Sequence, residues 1–138
     1  MALEQALRPH NDVAAHGPGP SDPGTPDVLV IGSGAIGIEF ASFYANMGAK
    51  VTVVEALDRV LPVEDEEISA FAHKAFTRQG MTIMTGAKVT KLDKQANGVT
   101  ATIDDGKGGT QTLTAERVIS AVGVIGNIEN LGLEKLGV

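Results

Sequence analysis

Residues 28–40, VLVIGSGAIGIEF, place a short apolar run directly before three glycines that are spaced two and then three residues apart. A continuous apolar run bounded by glycine is typical of a strand buried on both faces. Apolar side chains then recur at helical spacing at Ile36, Phe40, Phe43 and Met47. Gly48 is a good C-terminal helix cap, and KVTVVE at 50–55 predicts a second buried strand. The stretch therefore predicts one strand–helix–strand unit.

A second helix is predicted over residues 64–79, because acidic residues begin it, Lys74 and Arg78 lie near its end and Gly80 follows. Its predicted apolar face comprises Ile68, Phe71, Ala72, Ala75 and Phe76. Further strands are predicted over 81–84, 88–92, 99–103, 110–114 and 117–123. KQANG and DDGKGG read as hairpin loops between the middle three strands. The expected fold is α/β: a Rossmann-like parallel sheet with flanking helices and a three-stranded antiparallel β-meander as one crossover.

Gly32, Gly34 and Gly37 form a G-x-G-x-x-G pattern between the first strand and the first helix, which predicts a phosphate-binding turn. Gly34 would let the backbone approach a pyrophosphate, and Gly37 would let the helix pack closely on the strand. The helix beginning near Ala35 would direct free N–H groups toward the anion. An acidic residue is expected roughly 20 positions further on to accept the hydroxyls of an adenosine ribose, and Glu55 ends the second strand there.

The carboxylate of Glu55 would repel a 2′-phosphate, which favours NAD over NADP. Arg59 could receive such a phosphate, so NADP stays an alternative. Glu39 has two interpretations: a carboxylate favoured by the helix dipole, or a functional residue beside the packing face that Ile36 and Phe43 share.

Two groups of polar residues have simpler structural explanations. His73, in the middle of the second helix, is predicted to be solvated. The acidic run 64–67 is better explained as a helix start than as a metal site. We therefore predict no metal ligand and no catalytic residue in the chain.

The composition limits the compartment and the partners. The chain has 138 residues, a net charge of −6 and no Cys. The acidic balance argues against nucleic acid or an anionic membrane as a partner. No apolar run approaches the roughly 20 residues that span a bilayer, so a cytoplasmic location is expected. Five of the six prolines lie within residues 1–26, which are predicted to be a disordered Pro/Gly-rich tail or linker, and 27–138 to be one folded domain.

Residues 30–68 and 117–138 together resemble the NAD-binding domain of dihydrolipoamide dehydrogenase, a member of the flavin-dependent pyridine-nucleotide disulfide oxidoreductases. The resemblance covers roughly residues 27–138. The cofactor-binding residues that it implies are Gly32, Gly34, Ala35, Ile36, Gly37, Glu39, Glu55, Val89 and Gly123.

Within that set, the glycines and the amides of Ala35 and Ile36 would hold the pyrophosphate. Glu55 would hold the adenine ribose, and Val89 would lie near the adenine. Glu39 would lie near the nicotinamide and Gly123 close to the cofactor. Many relatives have Gly-Arg-x-Pro-Asn where this chain has GVIGN, which weakens any implication about the hinge to a flavin domain.

The resemblance implies an isolated or excised NAD(H)-binding domain that does not catalyse alone. In the family, FAD and a redox-active Cys pair occupy another domain, and a third domain supplies a His–Glu acid/base pair. This chain has no Cys, and the resemblance ends where the FAD domain would resume, so FAD is expected only in the full-length enzyme. Two alternatives stay open: a free-standing NAD(H)-sensing module and a folded remnant without a role. A missing FAD domain would leave apolar surface exposed, so weak self-association is expected.

Overall fold

The computed structural model describes residues 27–137, so the tail predicted for residues 1–26 lies outside the described residues. The strands are β1 (Asp27–Ile31), β2 (Lys50–Val54), β3 (Thr82–Met84), β4 (Lys88–Gln95), β5 (Gly98–Asp104), β6 (Thr110–Ala115) and β7 (Arg117–Ser120). The helices are α1 (Ala35–Asn46) and α2 (Glu66–Arg78), and a short 3₁₀ helix, Leu133–Leu136, follows the last strand.

The strands of the described residues form two sheets. The first is parallel, with strand order β3-β2-β1-β7, and the second is the antiparallel meander β4-β5-β6. At the centre of the parallel sheet, Val30 is in register with Val53 on one side and Ile119 on the other. The meander lies in the chain between β3 and β7, where a crossover helix would otherwise connect them. The predicted α/β fold is therefore confirmed.

The core explains why β1 is apolar without alternation. Val28 and Val30 pack in one buried cluster with Ala41 of α1, whereas Leu29 packs in another with Ile103 of β5. Successive strand residues point to opposite faces, so helix α1 covers one face of β1 and the meander covers the other. This arrangement buries β1 on both faces, as the sequence predicts. It also holds in place the carboxyl end of β1, which the glycine turn follows.

The apolar face predicted for α1 is wrong. Its members are exposed, from Ile36 and Phe40 at 45% and 47% to Phe43 and Met47 at 57% and 72%. The buried residues of α1 are Gly37, Ile38 and Ala41. Small residues four apart let the helix approach β1 closely, and because α1 is apolar on more than one side, periodicity alone could not identify the packed side.

Helix α2 and strand β7 differ from their predicted limits. Helix α2 begins at Glu66, two residues after the predicted start, because Asp65 is its N-cap and accepts a hydrogen bond from the Glu67 amide at 2.9 Å. Ile68 and Phe71, predicted on its packing face, are 54% and 70% exposed. Strand β7 ends at Ser120, where its pairing with β1 ends, and not at the predicted 123.

The helices that the structure describes are too short or too polar to cross a membrane. Within residues 27–137, no cluster of three or more His, Cys, Asp or Glu side chains is arranged to hold a metal ion.

Candidate functional site

Two of the three glycines in the turn between β1 and α1 are required by packing. Gly32 has a φ of +95°, and a Cβ there would lie 2.5 Å from the carbonyl oxygen of Ala121. A Cβ on Gly37 would collide with the carbonyl oxygen of Gly32. Gly37 thus packs closely, as predicted, although its nearest neighbour is the turn itself. The amide of Gly32 also donates to the Val54 carbonyl at 2.9 Å, which ties the turn to β2.

Gly34 has no such structural reason to be glycine. Its φ of −64° and ψ of 178° are open to any residue, and a Cβ there would meet no described atom within 4 Å. The space above Gly34 is therefore free for a group that approaches the backbone closely.

Gly34 is also the N-cap of α1, and the first turn of this helix differs from that of α2. Helix α1 has no side-chain cap among the described residues and no acidic residue in its first turn. Helix α2 has the Asp65 cap and two acidic residues, Glu66 and Glu67. The first N–H groups of a helix favour an anion, and on α2 the protein's own carboxylates lie there. On α1 the N–H groups of Ala35 and its neighbours are left for an external anion.

A buried carboxylate joins the turn to the end of β2. Glu55 Oε2 accepts hydrogen bonds from both the amide and the hydroxyl of Ser33, each at 2.7 Å. Glu55 Oε1 accepts from the Leu57 amide at 2.9 Å. Ser33 is fully buried and Glu55 is 6% exposed. Three donors satisfy this buried carboxylate and hold both of its oxygens in place.

The turn, the end of β2 and the start of the meander enclose a cleft of about 390 Å³. The predicted site residues that line it are Gly32, Gly34, Glu55, Val89 and Gly123. Because β1, β2 and β7 are parallel, their carboxyl ends meet at one edge of the sheet, and this cleft lies at that edge.

The other predicted site residues lie outside the lining of the cleft. Ala35 and Ile36 form the first turn of α1 next to Gly34, and Gly37 is buried beneath the turn. Glu39 is exposed on α1 beyond its first turn. The predicted position of Glu39 beside the packing face is wrong, because Ile36 and Phe43, which flank it, are exposed as well, whereas a functional role of Glu39 stays a prediction.

Several residues of the cleft were missed by the sequence reasoning. Leu57, Lys88, Pro62 and Val122 line it, and Ser33 lies buried next to it, behind the carboxylate of Glu55. Ser33 occupies a variable position of the glycine pattern, and its partner lies 22 residues away, so no local signal identified it. Lys88 begins a strand and carries no distinguishing motif.

The chain is similar to known proteins over most of its length. It matches the family described as "Pyridine nucleotide-disulphide oxidoreductase" over residues 3–138. That range begins within the N-terminal stretch that the sequence analysis left outside the resemblance. A dihydrolipoyl dehydrogenase of Rhizobium etli is 59% identical over 111 residues, which cover 80% of this chain and 23% of the relative.

Two solved structures have a similar fold. LpdA from Mycobacterium tuberculosis superposes with a TM-score of 0.65 at 32% identity, covering 82% of this chain and 24% of that one. A water-forming NADH oxidase from Lactobacillus brevis, bound to NADH, has a TM-score of 0.63 at 25% identity, covering 72% of this chain and 21% of that one. The chain thus spans about a quarter of the length of the proteins that it matches.

Proposed function

The chain belongs to the pyridine nucleotide-disulphide oxidoreductase family, and from that membership we propose that residues 27–138 are the NAD(H)-binding domain of a dihydrolipoyl dehydrogenase-like flavoprotein. The family uses both flavin and pyridine nucleotide, so the proposal concerns which of the two this chain binds. Support comes from the cleft at the carboxyl edge of the parallel sheet, where α/β proteins bind nucleotides.

Gly34 is the single observation that carries the proposal. Its backbone conformation is ordinary and no described atom lies near its missing Cβ, so neither the turn nor the core explains the glycine. A pyrophosphate lying against the backbone does explain it. The uncapped first turn of α1 would supply N–H donors to that pyrophosphate from Ala35 and Ile36.

The ligand that fits Glu55 is NAD(H), with a free 2′-hydroxyl on its adenosine ribose. Glu55 lines the cleft and is held there by Ser33 and Leu57, so a 2′-phosphate would meet a fixed negative charge. Arg59, the alternative receptor for a 2′-phosphate, does not line this cleft, and its Nη2 donates to the Pro62 carbonyl at 3.3 Å. The NADH bound by the similar Lactobacillus brevis oxidase is consistent with this choice.

The remaining predicted residues receive roles in the same proposal. Val89 and Gly123 line the cleft and would contact the adenine and the rest of the cofactor, respectively. Glu39, outside the lining, would reach the nicotinamide end. Bound NAD would supply the position that accepts or gives a hydride, and the protein residues would hold and orient it.

We further propose that this chain alone binds without catalysing. Dithiol oxidation in this family uses a Cys pair, and the sequence contains no Cys. Weak self-association through the exposed apolar side chains of α1, such as Phe40 and Phe43, is part of the same proposal. Size-exclusion chromatography over a range of concentrations tests it, and an unchanged monomer elution volume would contradict it.

The decisive experiment compares Gly34→Ala with Gly126→Ala by calorimetric titration with NADH, NADPH and FAD. Both glycines have an ordinary φ, and a Cβ on Gly126 would make only an ordinary contact with Ile128 at 3.7 Å. Gly126→Ala should not lose stability, because its Cβ meets no obstacle, and Gly34→Ala should lose at most about 1 kcal/mol, because alanine is a poorer N-cap than glycine. Gly126 lies outside the cleft lining, which makes Gly126→Ala the matched control.

We expect the parent chain and Gly126→Ala to bind NADH, and Gly34→Ala to bind it at least ~10-fold more weakly, because a methyl group would displace the phosphates. NADPH and FAD should bind the parent chain more weakly than NADH. Equal NADH affinity in Gly34→Ala and the parent chain, or tighter binding of FAD than of NADH, would overturn the proposal.

A further inference from the structure

Ser33 makes two hydrogen bonds that no general feature of a glycine-rich turn requires. Its hydroxyl and its amide both donate to one oxygen of Glu55, each over 2.7 Å. The hydrogen bond from the amide depends only on the backbone, whereas the hydrogen bond from the hydroxyl depends on the side chain at position 33. Ser33 has no exposed surface, so water cannot replace the hydroxyl as a donor without rearrangement of the turn.

The hydroxyl bond limits what the Glu55 carboxylate can do. An ionised carboxylate offers about four acceptor positions, and Ser33 and Leu57 together use three of them. Both oxygens are therefore restrained, and the acceptor position that remains is on Oε1. The 2′-hydroxyl of NAD(H) can donate to that position, whereas the 2′-phosphate of NADP(H) is mainly a dianion at neutral pH and is repelled by the carboxylate.

Restraint is what turns a carboxylate into a selective group. A mobile Glu55 could rotate away from a 2′-phosphate and reduce the repulsion, which would make selectivity weak. A carboxylate held at both oxygens cannot move without breaking a charge-assisted hydrogen bond. The energetic difference between the two nucleotides then depends on how firmly the carboxylate is held.

We propose that Ser33 is a positioning residue that sets the preference of this site for NAD(H) over NADP(H) by fixing the carboxylate of Glu55. The proposal rests on the proposed function, since it concerns the same cleft. Because Ser33 acts through Glu55, replacing it should change the ratio of the affinities for NADH and NADPH. This effect should disappear when the carboxylate of Glu55 is removed.

The experiment measures the dissociation constants of NADH and NADPH for the parent chain, Ser33→Ala, Ser33→Cys, Glu55→Ala and the double variant Ser33→Ala/Glu55→Ala. Ser33→Cys keeps a side-chain atom in the place of the hydroxyl oxygen, although sulfur is larger and a much weaker donor, so it provides the test if Ser33→Ala does not fold. Ser42→Ala removes a hydroxyl from α1, outside the cleft lining, and serves as the control.

We expect the ratio of the NADPH to the NADH dissociation constant to fall ~3- to 10-fold in Ser33→Ala and Ser33→Cys, and to stay unchanged in Ser42→Ala. In the Glu55→Ala background, Ser33→Ala should leave the ratio unchanged. If Ser33 had only a structural role, its replacement would weaken the binding of NADH and NADPH by the same factor. The ratio of the two dissociation constants would then stay unchanged, and that result would overturn the inference. Failure of the parent chain to bind NADH would instead refute the proposed function, so the two failures are distinguishable.

Discussion

Within residues 27–137, two glycine-rich turns are each held by a carboxylate, and they differ in where that carboxylate comes from. In the turn between β1 and α1, the donors of Ser33 bind Glu55, 22 residues away and buried. In the loop between β5 and β6, Asp105 accepts from the amides of Lys107 and Gly109, both at 2.8 Å. The first carboxylate therefore joins distant segments, and the second closes a single loop.

The difference shows which turn depends on the tertiary structure. The Asp105 contacts span at most four residues, so the loop can form them before the sheets assemble. The Glu55 contacts form only when β1 and β2 pair in register, with Ile31 opposite Val54. We expect damage to the first turn to spread through the parallel sheet and damage to the second to stay local.

The largest expected effect comes from the same substitution made in each turn. Gly37→Ala places a methyl group against the Gly32 carbonyl, a backbone atom that cannot move without distorting the turn. We expect a loss of about 4 kcal/mol in the free energy of unfolding. Gly108→Ala meets no described atom within 4 Å and adds only the strain of its φ of +90°, about 1 kcal/mol. Urea unfolding of both variants measures the difference, and equal losses would refute the contrast.

Removal of the carboxylates should give the next largest effect. Glu55→Ala leaves the buried amide and hydroxyl of Ser33, and the partly buried amide of Leu57, without an acceptor, for which we expect a loss of about 3 kcal/mol in the free energy of unfolding. Asp105→Ala frees amides in a loop that solvent reaches, where water can accept their hydrogen bonds. The loss in the free energy of unfolding should therefore be much smaller. Thermal unfolding compares the two variants, and a larger loss in Asp105→Ala would show that the local loop, and not the long-range contact, limits stability.

The smallest expected effect is a pH dependence confined to the β5–β6 loop. Backbone hydrogen bonds from Lys107, and then Gly109, hold the pKa of Asp105 below its ordinary value of 3.8. Because the folded pKa is lowered, the contribution of this carboxylate is present above the ordinary value and is lost as the pH falls through the folded pKa. Amide NMR shifts of Lys107 and Gly109 should change as the pH falls below the ordinary value of 3.8. Asp105→Asn should abolish this transition, and its persistence would assign it to another group.

The order of elements could be predicted because local patterns determine it. The apolar run of β1, the acidic start of α2 and the glycines after both helices each indicate an element without reference to the rest of the chain. The packed side of α1 could not be predicted in the same way. Large apolar residues such as Phe43 suggest a core face, but β1 accepts the side that carries the small residues Gly37 and Ala41.

Some residues of the candidate site could likewise be predicted from the sequence, and others could not. The sequence by itself predicted the glycine turn and Glu55, because the residues of this motif recur at a fixed spacing along the chain. Only the tertiary structure brought Ser33, Lys88 and Val89 to one cleft and left Glu39 outside it. Register between β1 and β2 and the placement of the meander decide those contacts, and both depend on packing between segments that are distant in sequence.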